Sequence, residues 1–314
     1  MTQENPPHFV ITSVAEQHRL LALPAPPHPL VSVLQFDELR PPPTTTWSGL
    51  LSTGFYTVAV KKNCPCKTAY GQLRYDFDHG VLSLVAPGKA VLWNAADSLP
   101  PAGWLLLVHP DLIRRYALAH RLKSYSFWHY AAHEALHLSA AEEATLDNLL
   151  LGLQQECRAA PAGFSEEMVV TYFDLLLQYA NRFYNRQFAS RRLAGRELLA
   201  QLDAALYSYL NSEQTTENGV PTAHYLAGQV HMSASYLTDL LKRLTGQSTQ
   251  QYIHGKLLDK AKELLGASKW SVAEIAYCLG FEHPQSFSKL FKQKTGLSPL
   301  QFRQASHHAA SRAA

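Results

Sequence analysis

Two groups of residues in this chain can do chemistry. His133-Glu134-Ala135-Leu136-His137 satisfies the H-E-x-x-H spacing, in which two histidines one helical turn apart hold a zinc ion and the glutamate activates a water. A third ligand is needed, and Glu156 is the only plausible downstream acid at helical distance. The second group lies in the last hundred residues, where polar side chains interleave with apolar ones at helical spacing. Gln285, Ser286, Ser288 and Lys289 surround Phe287, Leu290 and Phe291, while Ser235, Thr238, Asp239 and Lys242 surround Leu237, Leu240 and Leu241. Gln285 can pair bidentately with adenine and Lys289 can reach guanine acceptors. Asp239 repels phosphate; it either accepts from a cytosine amino group or is a solvated side chain tilted out of a groove. Lys242 and Lys292 are candidates for phosphate contact.

The elements that must position the second group are legible because the chain states them twice. Lys242-Arg243-Leu244-Thr245-Gly246-Gln247-Ser248 returns as Lys292-Gln293-Lys294-Thr295-Gly296-Leu297-Ser298, and Leu237, Leu240, Leu241 and Tyr252 are answered by Phe287, Leu290, Phe291 and Phe302. Self-similarity of this kind marks a duplicated structural unit. In the second copy Ser271-Val272-Ala273-Glu274 is a capping box, Gly280 stops the helix it starts, and His283-Pro284 opens another that ends at Thr295-Gly296. Two short helices joined by a tight turn make a helix-turn-helix. The first copy reads alike, with Tyr225, Leu226 and Val230 on one helix, His231-Met232 in the turn and Ser233 capping the next, but it lacks the turn glycine.

Between the copies, residues 248–265 form one amphipathic stretch with Tyr252, Ile253, Leu257, Leu258, Ala261, Leu264 and Leu265 inward. Roughly seventeen residues at ~1.5 Å each span about 26 Å. With the offsets of the flanking units, that length can hold two helices about 34 Å apart, in successive major grooves. Residues 221–306 carry ten Lys and Arg against five Asp and Glu, a net +5, whereas the whole chain is +3. A local basic excess is what a phosphate-binding surface requires.

Ala276 through Gly280-Phe281, then Ser286-Phe287, Leu290-Phe291-Lys292, Thr295-Gly296 and Ser298-Pro299 to Phe302-Arg303 resemble the signature of the AraC/XylS family of bacterial transcription regulators. The resemblance covers about 85 residues densely, and the candidate base-reading and phosphate positions fall where that family places its own. It implies an α+β chain: an N-terminal cupin-like β-barrel that binds a small-molecule effector, a helical dimerisation pair, and a C-terminal all-α double helix-turn-helix domain. The expected partners are double-stranded DNA, a second copy of the chain and, for an activator, RNA polymerase.

The upstream sequence fits that outline. Residues 1–17 are expected to be loosely ordered. Short β-rich runs at 31–36, 55–60, 73–77, 81–85, 90–93 and 103–108, with 73–77 and 81–85 as a hairpin, suit a small barrel over residues 18–109. Its strands offer no His-x-His pair, so no metal and no cofactor are expected there. Tyr56, Tyr75 and Trp93 are candidate effector-lining residues, because an aromatic with a polar handle can stack on and orient a ligand. Helices at 111–122, 139–157 and 165–188 fill a dimerisation region, 110–190. Residues 191–196 are expected as a linker, 197–306 as the DNA-binding domain with a loop at 211–219, and 307–314 as a disordered tail.

The four cysteines show no disulfide framework, the residues after Met1 do not resemble a signal peptide, and no apolar run reaches a membrane span of ~18 residues. A cytoplasmic regulator without enzymatic activity and without membrane association is the expectation. The H-E-x-x-H motif leaves a zinc metallohydrolase on His133, Glu134 and His137 as the alternative. Its spacing works only on a continuous helix, yet Ser139-Ala140-Ala141-Glu142 caps a new helix two residues after His137. Purified protein is therefore expected to carry well under one equivalent of zinc by atomic absorption, with DNA binding unchanged in Glu134→Gln. Stoichiometric zinc, with a peptidase activity lost in that variant, would establish the metalloenzyme instead.

Overall fold

The computed structural model describes residues 7–39, 49–62, 80–93, 102–131, 134–159, 165–190 and 192–305. The chain divides into two compact units, Met1–Phe188 and Ala189–Ala314.

In the first unit the strands are β1 (His8–Ile11), β2 (Val31–Gln35), β3 (Gly49–Thr53), β4 (Tyr56–Lys62), β5 (Val81–Val85), β6 (Ala90–Trp93), β7 (Ala102–Val108) and β8 (Leu136–His137), with helix α1 (Val14–Leu20) between the first two. Among the described residues they form two open sheets, β1-β3-β6 and β2-β7-β4-β5-β8. The expected cupin-like barrel is therefore not seen as a closed barrel. The hairpin partner at 73–77 lies outside the described residues, and β5 is engaged on both edges, by β4 along its length and by β8 at Val81 and Leu82. The expectation of a loosely ordered start is corrected for residues 7–17, while residues 1–6 lie outside the described residues. β1 pairs in parallel with β3, and Ser13 caps α1 by accepting from the Glu16 amide at 3.2 Å. A four-residue strand completed only by a distant partner leaves little periodicity to read.

Strand alternation sorts the side chains of the larger sheet. Ala59 lies in one apolar cluster with Leu21, Leu34, Phe36 and Leu39, and Leu107 in another with Ile11, Val14 and Phe55. The opposite face carries Tyr56, Val58, Val60 and Lys62. Four helices follow, α2 (Pro110–Ile113), α3 (Leu118–Leu122), α4 (Ala140–Arg158) and α5 (Glu166–Ser190), and α4 and α5 meet this face. There Lys62 is ion-paired with Glu143 at 3.0 Å and with Asp147, while the indole of Trp104 donates to Asp147 at 3.0 Å. Burial drives the Lys62 ammonium pKa down, but its bonds to Asp147 and Glu143 outweigh this and leave it raised. The single helix expected over 111–122 is two, α2 and α3, broken by the turn at 114–117.

The second unit is helical: α6 (Arg192–Leu210), α7 (Gln214–Asn218), α8 (Ala223–Gln229), α9 (Ala234–Thr245), α10 (Thr249–Ala267), α11 (Val272–Cys278) and α12 (Pro284–Thr295), with residues 299–305 helical again. Two expectations are corrected. Residues 192–196 of the expected linker are the first turn of α6, and the expected loop at 211–219 contains α7. The run of arginines and the Asn/Thr/Glu-rich stretch obscured both helices. The capping boxes at Ser139, Ser248 and Ser271 each form with both reciprocal bonds.

The duplication holds at the level of single hydrogen bonds. After α8 the Met232 amide reaches back to the Ala227 carbonyl at 2.9 Å, and after α11 the Phe281 amide reaches the Ala276 carbonyl at 2.9 Å. Both are six-to-one closures around a left-handed residue. That residue is His231 (φ 54°) in the first copy and Gly280 (φ 85°) in the second. A Cβ on Gly280 would lie 2.5 Å from the Gly219 carbonyl carbon and 2.8 Å from the Thr215 oxygen, both backbone atoms. Gly280→Ala is therefore expected to cost more than about 2 kcal/mol, combining left-handed strain with a collision that no rotamer relieves. His231→Gly, which relieves the same strain in the other copy, is expected to be neutral or stabilising by up to about 1 kcal/mol. Urea melts of the three proteins decide it; equal effects of both substitutions would refute the account.

Candidate nucleic-acid interface

α9 and α12 are each twelve residues long, with bounds fifty residues apart. Their burial explains what they present. In α9, Tyr236, Leu237, Leu240 and Leu241 are buried; in α12, Phe287 and Phe291 are buried and Leu290 is half-buried. Phe287 stands 5.5 Å from Phe281 and 5.7 Å from Phe291, which in turn lies 5.5 Å from Phe302. Each such buried side chain contributes roughly 1.5–3 kcal/mol, enough to fix the rotation of a short helix about its axis. Both helices end alike: Thr245 and Thr295 donate to the carbonyls of Leu241 and Phe291, and Gly246 and Gly296 take left-handed φ of 76° and 80°.

With the rotation fixed, the candidates separate. Gln285, Ser286, Lys289 and Lys292 are exposed, Ser288 is half-buried, and on α9 Lys242 is exposed while Ser235 and Asp239 are half-buried. Thr238 is turned away. Its hydroxyl bonds the Ala234 carbonyl at 2.8 Å and the Thr249 hydroxyl at 2.9 Å, and Thr249 is wholly buried at the start of α10. Fifty residues on, Ser288 faces a different partner position, because Thr249 is answered by Pro299. Thr238 thus ties α9 to α10 through a bond that no apolar periodicity announces.

The cations also separate. On α10, Lys256 pairs with Asp203 of α6 at 2.7 Å, Lys260 with Glu263 at 3.1 Å and Lys262 with Asp259 at 3.5 Å. Asp203 also accepts from the Tyr252 hydroxyl at 2.5 Å, and burial, then that bond, raise the phenol pKa. Among the described residues no ion pair involves Lys242, Arg243, Lys289, Lys292 or Lys294, and all five are exposed. Arg243 follows Lys242 and Lys294 lies two residues beyond Lys292, but the repeat does not pair them, since Arg243 is answered by Gln293 and Lys294 by Leu244. Lys294 also has an electrostatic reach: burial first, and this ammonium second, lower the pKa of His254 on α10.

The other candidates are not brought together. Tyr56 lies on the helix-facing side of β4, its ring 4.9 Å from Trp128 and 6.2 Å from Phe173 of α5, and burial raises its pKa. It does not line the space between the two sheets. Tyr75 and the side chain of Trp93 lie outside the described residues, as does His133. The rest of the H-E-x-x-H motif is not helical: Leu136 and His137 form β8, and Glu134 is 6% exposed with its carboxylate accepting from the Ala131 amide at 2.6 Å. Arg186 and Gln187 of α5 bond the His137 carbonyl and amide at 2.7 and 2.9 Å, which holds this segment as an edge strand. Glu156 is half-buried on α4. Among the described residues no group of three or more His, Cys, Asp or Glu stands close enough to hold a metal ion.

The family profile described as "Helix-turn-helix domain" matches residues 226–305. The HTH-type transcriptional activator RhaS of Escherichia coli O1:K1 / APEC is 31% identical over 151 residues, 48% of this chain and 50% of that protein. The protein of the same name from Salmonella dublin is 26% identical over 254 residues, 80% of this chain and 85% of that one. The chain thus spans about half the length of the E. coli relatives it matches. The solved structure of a transcriptional regulator (AraC-type DNA-binding domain-containing proteins) from Chromobacterium violaceum is 19% identical, covering 36% of this chain and 96% of that one, with a TM-score of 0.30. The matched span, with its duplicated helix pairs, makes residues 226–305 a helix-turn-helix domain similar to those of these transcription regulators.

Proposed function

We propose that this protein is a sequence-specific double-stranded DNA-binding transcription regulator. The observation that carries the reading is the division of charge: the lysines of α10 are spent on carboxylates, while the five cations of α9 and α12 have no ion pair among the described residues. Cations left unneutralised on the two helices that also expose amides and hydroxyls suit a phosphate-flanked groove. α10, at 19 residues and about 28 Å, has the length to set them one helical turn of DNA apart.

In this reading Gln285, Ser286, Ser288 and Lys289 read bases from α12, and Ser235 and Asp239 from α9, with Lys242, Lys292, Arg243 and Lys294 on phosphates. Thr238 was a candidate base reader; its hydroxyl bonds make it a support instead. The first unit contributes dimerisation through α4 and α5, supported by Met168 and Leu175, which are 45% and 42% exposed one heptad apart on α5, and by Leu151 at 43% on α4. Response to a small-molecule effector through that unit, a cytoplasmic location, and contact with RNA polymerase, suggested by relatives named as activators, complete the proposal.

Selection of bound sequences from random duplex DNA tests the function and supplies the operator. On that operator Gln285→Ala and Lys289→Ala are each expected to cost about 1–3 kcal/mol and to relax specificity at one position. Lys292→Ala is expected to weaken all sequences alike and lower the salt slope by about one. Equal losses on cognate and random DNA for the first two variants would show that they position rather than read. Sedimentation tests the dimer: Leu175→Lys is expected to leave a monomer at micromolar concentration, and a monomeric unsubstituted chain would remove the dimer from the proposal.

A further inference from the structure

Arg303 belongs to the basic residues of the second unit by sequence, yet its side chain is turned inward. It lies in the helical segment 299–305, whose start repeats the capping box of α10: the Ser298 amide bonds the Gln301 side chain at 2.9 Å, as the Ser248 amide bonds Gln251 at 2.8 Å. From there the Nε of Arg303 donates to the Leu265 carbonyl at 3.3 Å and one Nη to the Trp270 carbonyl at 2.6 Å. Leu265 stands in the last turn of α10, where carbonyls have no partner within the helix. Trp270 is the residue before Ser271, the N-cap of α11. One guanidinium therefore spans the two ends of the joint between α10 and the second helix pair.

That joint is short. Ser268, Lys269 and Trp270 separate the last residue of α10 from the N-cap of α11; the Ser268 hydroxyl donates to the Leu264 carbonyl at 2.7 Å, and the Trp270 amide bonds the same hydroxyl at 3.4 Å. Small rotations here move α12 as a lever. A tilt of about 10° displaces the far end of an ~18 Å helix by ~3 Å, one base-pair step. A planar fork with donors in fixed directions resists such a tilt, where a single ammonium on a flexible stem does not. The first copy has no such device: fifty residues earlier the position is Ile253, 2% exposed within α10.

We infer that Arg303 is a positioning residue that fixes the spacing between the two DNA-reading helices by clamping the joint between α10 and α11. The inference rests on the DNA-binding reading above and adds a residue that governs half-site spacing without touching a base. It separates Arg303 from the five exposed cations, which it would otherwise be grouped with.

The test uses the full chain and a duplex selected from random DNA, resynthesised with one base pair inserted or deleted midway between its two half-sites. The unsubstituted protein is expected to discriminate against both altered duplexes by about tenfold or more. Arg303→Lys keeps the charge and the apolar stem but not the fork, and Arg303→Gln keeps one donor group without charge. Both are expected to bind the three spacings within about threefold of one another, with the salt slope unchanged. Retention of the full spacing preference by both variants would overturn the inference. So would uniform weakening in Arg303→Gln with a salt slope lower by about one, which is the behaviour of a phosphate contact. Failure of the unsubstituted chain to enrich any duplex would instead overturn the DNA-binding reading itself, and equal binding of all three spacings by the unsubstituted chain would overturn the spacing role alone.

Discussion

Burial of one stripe on α10 holds everything that the second unit exposes. Tyr252, Ile253, Leu257, Leu258, Ala261 and Leu265 are at most 9% exposed along a helix whose opposite side carries salt-bridged lysines. Helix pairs of seven and twelve residues are too short to be stable alone, because nucleation costs more than a few turns return. They persist because α8 and α9 pack against α10 on one side and α11 packs against it on the other, with α12 held on α11. The Tyr252 hydroxyl and the Lys256 ammonium both end on Asp203, which fixes α6 against the same helix. Removing the stripe would therefore undo α9 directly and α12 through α11, whereas removing an exposed lysine alters only what it meets.

The two copies are alike in what fixes a helix and unlike in what it presents. Each closes its turn with the same backbone bonds, but the turn of the second copy has one more residue before its long helix, since α8 and α11 are 49 residues apart and α9 and α12 are 50. The left-handed position falls to a histidine in one and to a glycine wedged against Gly219 in the other. Ser233 caps α9 through its side chain, while α12 begins on His283 and Pro284, where a missing N–H costs nothing. In the proposed reading, these differences leave room for the two helices to meet different bases while the frame remains common.

How much of this was legible follows the range of the interactions. Caps, glycine stops and 3.6-residue periodicity are local, so the residues of α8 to α12 and their inward faces could be read directly, down to the N-cap at Ser233 and the capping box at Ser271. The first unit depends on strands that meet residues far away in sequence, such as His8 with Leu50 and Leu82 with Leu136. Alternation names two faces but not which neighbour covers each, and for that reason Tyr56 read as ligand-lining when its face belongs to Trp128 and Phe173. Thr238 shows the same limit on a helix: its polarity suggested a groove, and its partner, Thr249, lies on another element. The H-E-x-x-H motif failed for a related reason, because spacing alone does not state the backbone on which it is written.

Charge is where sequence counts mislead most. Ten basic residues in residues 221–306 suggest a broad cationic surface, but the structure assigns them by position. Lys256, Lys260 and Lys262 meet carboxylates, and Arg303 meets carbonyls. Lys242 and Arg243, with Lys289, Lys292 and Lys294, remain exposed on α9 and α12, and Lys269 is exposed between α10 and α11. Exposed surface pairs such as Lys260 with Glu263 are worth only ~0–1 kcal/mol, so their value here is less to stability than to sign. Neutralising the connecting helix leaves the positive potential concentrated on the two helices that expose hydrogen-bonding side chains. In the DNA-binding reading proposed above, a polyanion is then drawn to those helices rather than to the rod between them, and bases come within reach of the candidate reading residues.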